Sequence, residues 1–194
     1  MKTSETSILG VIVIEEDFHI DNRGMFCTVY ERPIPEAHCC ITSCAFATNN
    51  KMGTIRGLHY YNRWERFAQS KIVRCMSGRA FDVVVDMRPY SLTFHKHETF
   101  ELTVENHLSL FIPPGIAHGY QTLLDNTTML YLFDQPYNNS FRGGTQYDDG
   151  LFHKTYDNAP QFGVRYNDPL INIPWPHEVT VISLKDQNWP LIGE

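Results

Sequence analysis

Two histidines, a lysine, two tyrosines and an aspartate stand where side chains could bind a ligand or move protons. In GTIRGLHYY, from Gly53 to Tyr61, Arg56 and His59 lie three apart beside Gly57. In an extended strand that odd spacing sends them to opposite faces, unless Gly57 marks a bulge that re-aims one of them. His118 follows a Pro-Pro-Gly turn in IPPGIAHGY, a place from which an imidazole can point into the mouth of a barrel. An imidazole titrates near neutral pH and can take or give a proton, but the same ring also serves as a structural hydrogen-bond partner. Lys71 sits in an otherwise apolar stretch; among core-facing neighbours a lysine is rarely left unpaired, whereas on the outer side it would simply meet solvent. Tyr131 and Tyr137 flank a strand end, where a phenol can act as an acid or a ring can stack on a base. Asp186, in SLKD, follows an apolar stretch near the C-terminus, and carboxylates in such positions are more often exposed than catalytic. Taken singly, each residue fits a structural role as well as a chemical one.

The elements that must hold these residues read as strands. From Lys71 the pattern has a period of two, with Ile72, Arg74 and Met76 alternating with Val73 and Cys75 before Ser77-Gly78 breaks the run ahead of FDVVVDMR. That predicts a hairpin. ETFELTVE, HLSLFIPP and HGYQTLL follow at short spacing, and Asp125-Asn126 turns the chain into TTMLYLFD. Such a succession of antiparallel strands implies an all-β barrel or jelly roll, with helices short and peripheral because no window sustains a helical period. The stretch from 138 to 163 is rich in Gly, Asn, Asp and Tyr and reads as an irregular excursion. NDPLINIPWP and VISLKDQNWPL, with their Pro, Trp and short apolar runs, are expected to pack back onto the barrel. Neither repeat nor linker is visible, so residues 1–194 are expected to form one domain.

Composition narrows the function. Hydrophobic residues make up 42% and aromatics 13% of 194 residues, enough for a sizeable core with broad β-surfaces. A net charge of −6 without a long charge run argues against nucleic acid or an anionic membrane surface as partner. The five cysteines, Cys27, Cys39, Cys40, Cys44 and Cys75, are odd in number and lack a Cys-x-x-Cys pair, so reduced thiols in a cytoplasmic protein are expected. The segment from Met1 to Gly10 lacks a basic region followed by an apolar run, and the chain is read as not exported.

The order DNRGMF, GTIRGLHY, KIVRC, FDVVVDMRPYS, IPPGIAHGY, TMLYLF, NDPLINIPWP and ISLKD resembles the dTDP-4-dehydrorhamnose 3,5-epimerase family over most of the chain. The resemblance implies a double-stranded β-helix (cupin) fold, a homodimer, and a nucleotide-linked 4-keto-6-deoxyhexose as substrate. It also implies His59 as base, Asp186 as its dyad partner, Lys71 beside the ketone oxygen and Tyr131 as acid. Arg23, Phe26, Arg56, His118 and Tyr137 would line the site, with Arg23 and Phe26 crossing from the partner subunit. These residue types suit the chemistry. A ketone acidifies the hydrogens on neighbouring carbons, but a base must remove one and the enolate must be stabilised. Alternatives on the same scaffold are a 3,4-ketoisomerase and a non-catalytic sugar-binding cupin.

Three departures from the family pattern bear on binding. Thr28 stands where the family usually has Glu, and Cys44 and Phe46 stand where it has Gln and Asn. The groups lost could hydrogen-bond the nucleotide or sugar, so a shift of substrate is expected, either to another nucleotide, CDP first, or to a further-deoxygenated sugar. The chain also carries roughly eighteen extra residues between Tyr137 and the WP segment. No cofactor is expected. His59 is followed by Tyr60 and Tyr61 rather than by the His-x-His of metal-binding cupins, and His95 and His97 fall outside either motif; a closed metal site needs three or four ligands.

Overall fold

A computed structural model of the chain describes residues 1–31, 40–62, 68–135 and 161–193. Twelve strands precede the excursion: β1 (Lys2–Glu5), β2 (Ile12–Glu15), β3 (Phe18–Asp21), β4 (Gly24–Cys27), β5 (Ser43–Asn49), β6 (Thr54–Tyr61), β7 (Lys71–Ser77), β8 (Arg79–Asp86), β9 (His97–Thr103), β10 (Leu108–Ile112), β11 (Ile116–Thr122) and β12 (Thr127–Phe133). After it come β13 (Gln161–Gly163), β14 (Val181–Ile182) and the helix α1 (Leu184–Gln187). The first sheet runs β1-β2-β10-β7-β12-β5 and the second β13-β6-β11-β8-β9, with β14 also on β6; β3 and β4 form a separate hairpin.

The fold class agrees with the sequence reading, but the pairing of β7 with β8 does not. β7 hydrogen-bonds to β10 and β12 in the first sheet, while β8 bonds to β9 and β11 in the second. Gly78, at φ +74°, lets the chain cross between sheets, and a Cβ there would lie 2.4 Å from Thr127 Oγ1. Local alternation cannot tell a hairpin from a crossing, because both need a tight turn between two period-two strands. Crossings recur at β9–β10, β10–β11 and β11–β12, and this alternation between sheets is what makes the architecture a jelly roll.

The core follows from that alternation. Val73, Cys75, Ala80, Val84, Leu102, Leu110, Ile112, Tyr120 and Met129 meet between the sheets. Val83 and Val85, on the other face of β8, pack with Leu58, Ala117, Val164, Ile171 and Ile173. The tail thus covers the outside of the second sheet, and a strand buried on both faces reads as the unbroken FDVVVD run. On the outside of the first sheet Ile12, Ile14, Ile72, Phe111 and Leu132 form a third cluster. Gln161–Gly163, assigned from the sequence to the irregular excursion, forms β13; residues 138–160 and Tyr137 lie outside the described residues. Leu184–Gln187 is the only helix among the described residues, and it carries one of the site's side chains.

Candidate active site

β6 and β11 run antiparallel with His59 opposite His118 and Arg56 opposite Tyr120. Two steps along β11 match three along β6, so β6 holds one extra residue and its alternation is reset. Arg56 and His59 consequently line the same cavity, of about 460 Å3. Gly57 permits this: its φ is +124°, and a Cβ would come within 2.6 Å of Gly119 Cα and 2.8 Å of the His118 carbonyl oxygen. The bulge considered from the sequence is present.

Tail residues bring the acidic partner. β14 pairs with the start of β6, Val181 beside Thr54, and β13 with its end, Gly163 beside His59. Between these two pairings the Gly57 N–H donates to Asp186 Oδ2 at 3.2 Å, and His59 Nε2 lies 2.7 Å from Asp186 Oδ1. Trp189 Nε1 donates to the same Oδ1 at 3.3 Å, and Ser183 caps the helix by accepting from the Asp186 N–H at 3.1 Å. An ionised carboxylate only accepts, so the hydrogen resides on Nε2 and His59 keeps its lone pair on Nδ1. Burial holds the His59 pKa below the usual imidazole value, with Asp186 pulling it up and Lys185 and Lys71 pushing it down. The ring is therefore a neutral, oriented base at neutral pH. Burial also opposes the charge on Asp186, but the hydrogen bonds from His59 and Gly57 hold its pKa below the ordinary carboxylate value.

A second His–Asp pair lies deeper. His118 Nε2 is 2.9 Å from Asp82 Oδ2, and both side chains are buried. Lys71, at the start of β7, lines the cavity, and burial lowers its pKa to about 8 against the attraction of Asp82. At neutral pH it is mostly an ammonium ion. Tyr131 enters from β12 in the first sheet, stacked on Phe133 with centroids 5.8 Å apart and edge-on to His118 at 6.4 Å. Burial raises the Tyr131 pKa well above the usual phenol value, so its hydroxyl remains protonated. The cavity thus joins a base on one sheet, a phenol on the other and a cation at its wall.

The structure places His59, Asp186, Lys71, Tyr131, Arg56 and His118 around one cavity, with Phe46 also in the lining. Arg23, Phe26, Thr28 and Cys44 do not line it within a single chain. Arg23 sits in the β3–β4 turn, paired with Asp21, and Phe26 on β4 is largely exposed. Cys44 is exposed on β5 and Thr28 is half-buried just beyond β4. Sequence reasoning missed Asp82, Tyr120 and Asn49. Tyr120 is two residues from His118 and shares its face by strand periodicity, and Asp82 is the one charge within FDVVV, so both left a signal. Asn49 left none. His95 lies in the β8–β9 connection and His97 begins β9, neither lining the cavity, and no group of three or more His, Cys, Asp or Glu forms a cation site among the described residues.

Comparison with known proteins gives the family. The family model described as dTDP-4-dehydrorhamnose 3,5-epimerase matches residues 5–153. A Sinorhizobium fredii protein of that name is 39% identical over 145 residues, 74% of this chain and 64% of its own length. One from Methanothermobacter thermautotrophicus is 32% identical over 98% of this chain and 94% of its own. The crystal structure of a dTDP-4-dehydrorhamnose 3,5-epimerase from Bacillus anthracis, with TDP and PPi bound, superposes with a TM-score of 0.83 at 30% identity, covering 98% of this chain and 99% of that one. With sequence and fold matched along nearly its whole length, the chain belongs to the dTDP-4-dehydrorhamnose 3,5-epimerase family and is an isomerase.

Proposed function

We propose that the chain inverts carbon 3, carbon 5 or both of a nucleotide-linked 4-keto-deoxyhexose in deoxysugar biosynthesis. The observation that carries this reading is that His59 and Tyr131 enter one cavity from opposite sheets, with Lys71 in its wall. His59 removes the proton from a carbon beside the ketone, and the electron pair of that C–H bond moves onto the carbonyl oxygen. The Lys71 ammonium stabilises the resulting enolate. Tyr131 returns a proton to the other face, inverting the centre. A 3,4-ketoisomerase needs no donor opposite its base, so the pairing of His59 with Tyr131 favours epimerisation.

The test is incubation in deuterated water with a panel of 4-keto sugar nucleotides, with and without prolonged prior chelation. Deuterium is expected at carbon 3, carbon 5 or both, with inverted product, and chelation is expected to leave both unchanged. Exchange that is lost to chelator and restored by one added metal overturns the metal-free mechanism; no exchange with any substrate overturns the assignment.

The working unit in this reading is a cytoplasmic homodimer. Ile20 and Phe26 on the β3–β4 hairpin are 72% and 69% exposed, and Phe46 on edge strand β5 is 72% exposed, apolar surface that a second copy would cover. The hairpin would carry Arg23 and Phe26 to the partner's cavity. Phe46 also bears on specificity, since an apolar ring at the cavity in place of an amide gives up a hydrogen bond to the ligand. CDP-linked 4-keto sugars are therefore expected to show a kcat/KM at least equal to that of the dTDP-linked ones. A clear preference for the dTDP substrate overturns this specificity and leaves the epimerase reading standing.

A further inference from the structure

With Lys71 serving the enolate, Arg56 is the other lysine or arginine among the described residues of the cavity lining, and its charge suits the diphosphate of a nucleotide sugar. Arg56 is exposed, and a long side chain with nothing behind it samples many rotamers that a bound anion must then freeze. Here it is held from behind. Its Nε donates to Asn49 Oδ1 at 2.8 Å and its Nη2 to the Thr48 carbonyl oxygen at 3.2 Å.

Asn49 reaches Arg56 across the fold. It ends β5 in the first sheet and is 3% exposed, whereas Arg56 stands on β6 in the second. Asn49 Nδ2 donates to the Thr127 carbonyl oxygen at 3.0 Å and lies 3.1 Å from the Tyr120 hydroxyl. A backbone carbonyl only accepts and a guanidinium only donates, so the amide has one orientation, with Oδ1 toward Arg56. Both acceptors on Arg56 are neutral, so they direct the guanidinium without cancelling its charge. They occupy its side edge, Nε and one hydrogen of Nη2. Among the described residues Nη1 and the other Nη2 hydrogen stay available, and that end forms a fork that matches two phosphate oxygens.

We propose that Asn49 is a positioning residue for Arg56, a buried neutral brace that orients the guanidinium for the diphosphate of the substrate before the substrate arrives. The proposal rests on the nucleotide-sugar reading above and deepens it.

The test is Asn49→Ala, measured by calorimetric titration with dTDP, CDP, UDP, ADP and GDP and by steady-state kinetics on the 4-keto sugar nucleotide that the wild type turns over. An unbraced Arg56 must be ordered on binding. Kd for the diphosphate and KM are therefore expected to rise together, roughly fivefold to tenfold, while kcat changes by less than about threefold. In an Arg56→Ala background the same substitution is expected to change Kd by less than about twofold, because the group it positions is gone. Asn49→Asp gives a second arm of nearly unchanged shape. Its acceptor remains but carries a charge that pairs with Arg56, so Kd is expected to rise at least as much. An unchanged Kd in either folded variant overturns the proposal, as does an equal loss of affinity with and without Arg56. A fall in kcat as large as the rise in KM also overturns it, since Asn49 would then shape the whole cavity. Wild-type protein that binds none of the five diphosphates instead overturns the nucleotide-sugar reading, and the brace with it.

Discussion

His59→Asn is expected to lower proton exchange at the sugar by about a hundredfold or more while leaving the fold in place, because it deletes the general base of the proposed mechanism. The amide keeps polarity and much of the volume but has no basic lone pair. Asp186 loses one partner in the variant, yet the Gly57 N–H and the Trp189 indole still donate to its carboxylate, and Ser183 still caps its helix. The buried charge therefore stays paired, and circular dichroism should show an unchanged all-β protein. Asp186→Asn should do less harm, since it disturbs the orientation and basicity of His59 without removing the base. Deuterium wash-in read by NMR separates the two. If His59→Asn keeps more than about a tenth of the wild-type exchange rate, the base lies elsewhere.

The difference between these two variants also marks how far the sequence could be read. His59 stood out only as a candidate, because GTIRGLHYY sets two chemically active residues beside a glycine; the bulge that would bring them to one face is present, but the role of base came from the family resemblance. Asp186 was different. It lies 127 residues from its partner, and nothing local distinguishes it from a surface carboxylate. Only the family resemblance pointed to it, and the physical reason emerges in the tail, whose two short strands occupy both ends of β6 and leave the gap at Gly57 for the carboxylate. Strand positions from Lys71 onward were legible from alternation. The partner of each strand was not, because a turn such as Ser77-Gly78 serves a hairpin and a crossing between sheets equally. The same limit concealed Asn49, which meets Tyr120 and Arg56 only because β5 of the first sheet packs across from the second.

Tyr131→Phe is expected to uncouple exchange from inversion. Tyr131 stands on the sheet opposite His59, so the proton removed by His59 can be replaced on the same face without it, but not on the other. Wash-in should therefore survive in part, while inverted product falls roughly a hundredfold, the scale of a lost general acid. Structural damage should be small. The phenyl ring retains its stack on Phe133 and its edge contact with His118, and the neighbouring Tyr120 hydroxyl keeps its hydrogen bonds with Asn49. The phenol is held in its protonated form by burial, so the loss should be of similar size across the neutral range instead of appearing only at high pH. Following both signals in one deuterated reaction gives the ratio directly, independent of how much variant protein is active. A ratio equal to that of the wild type, with both rates reduced alike, would mean that Tyr131 only shapes the cavity and that the returning proton comes from another group.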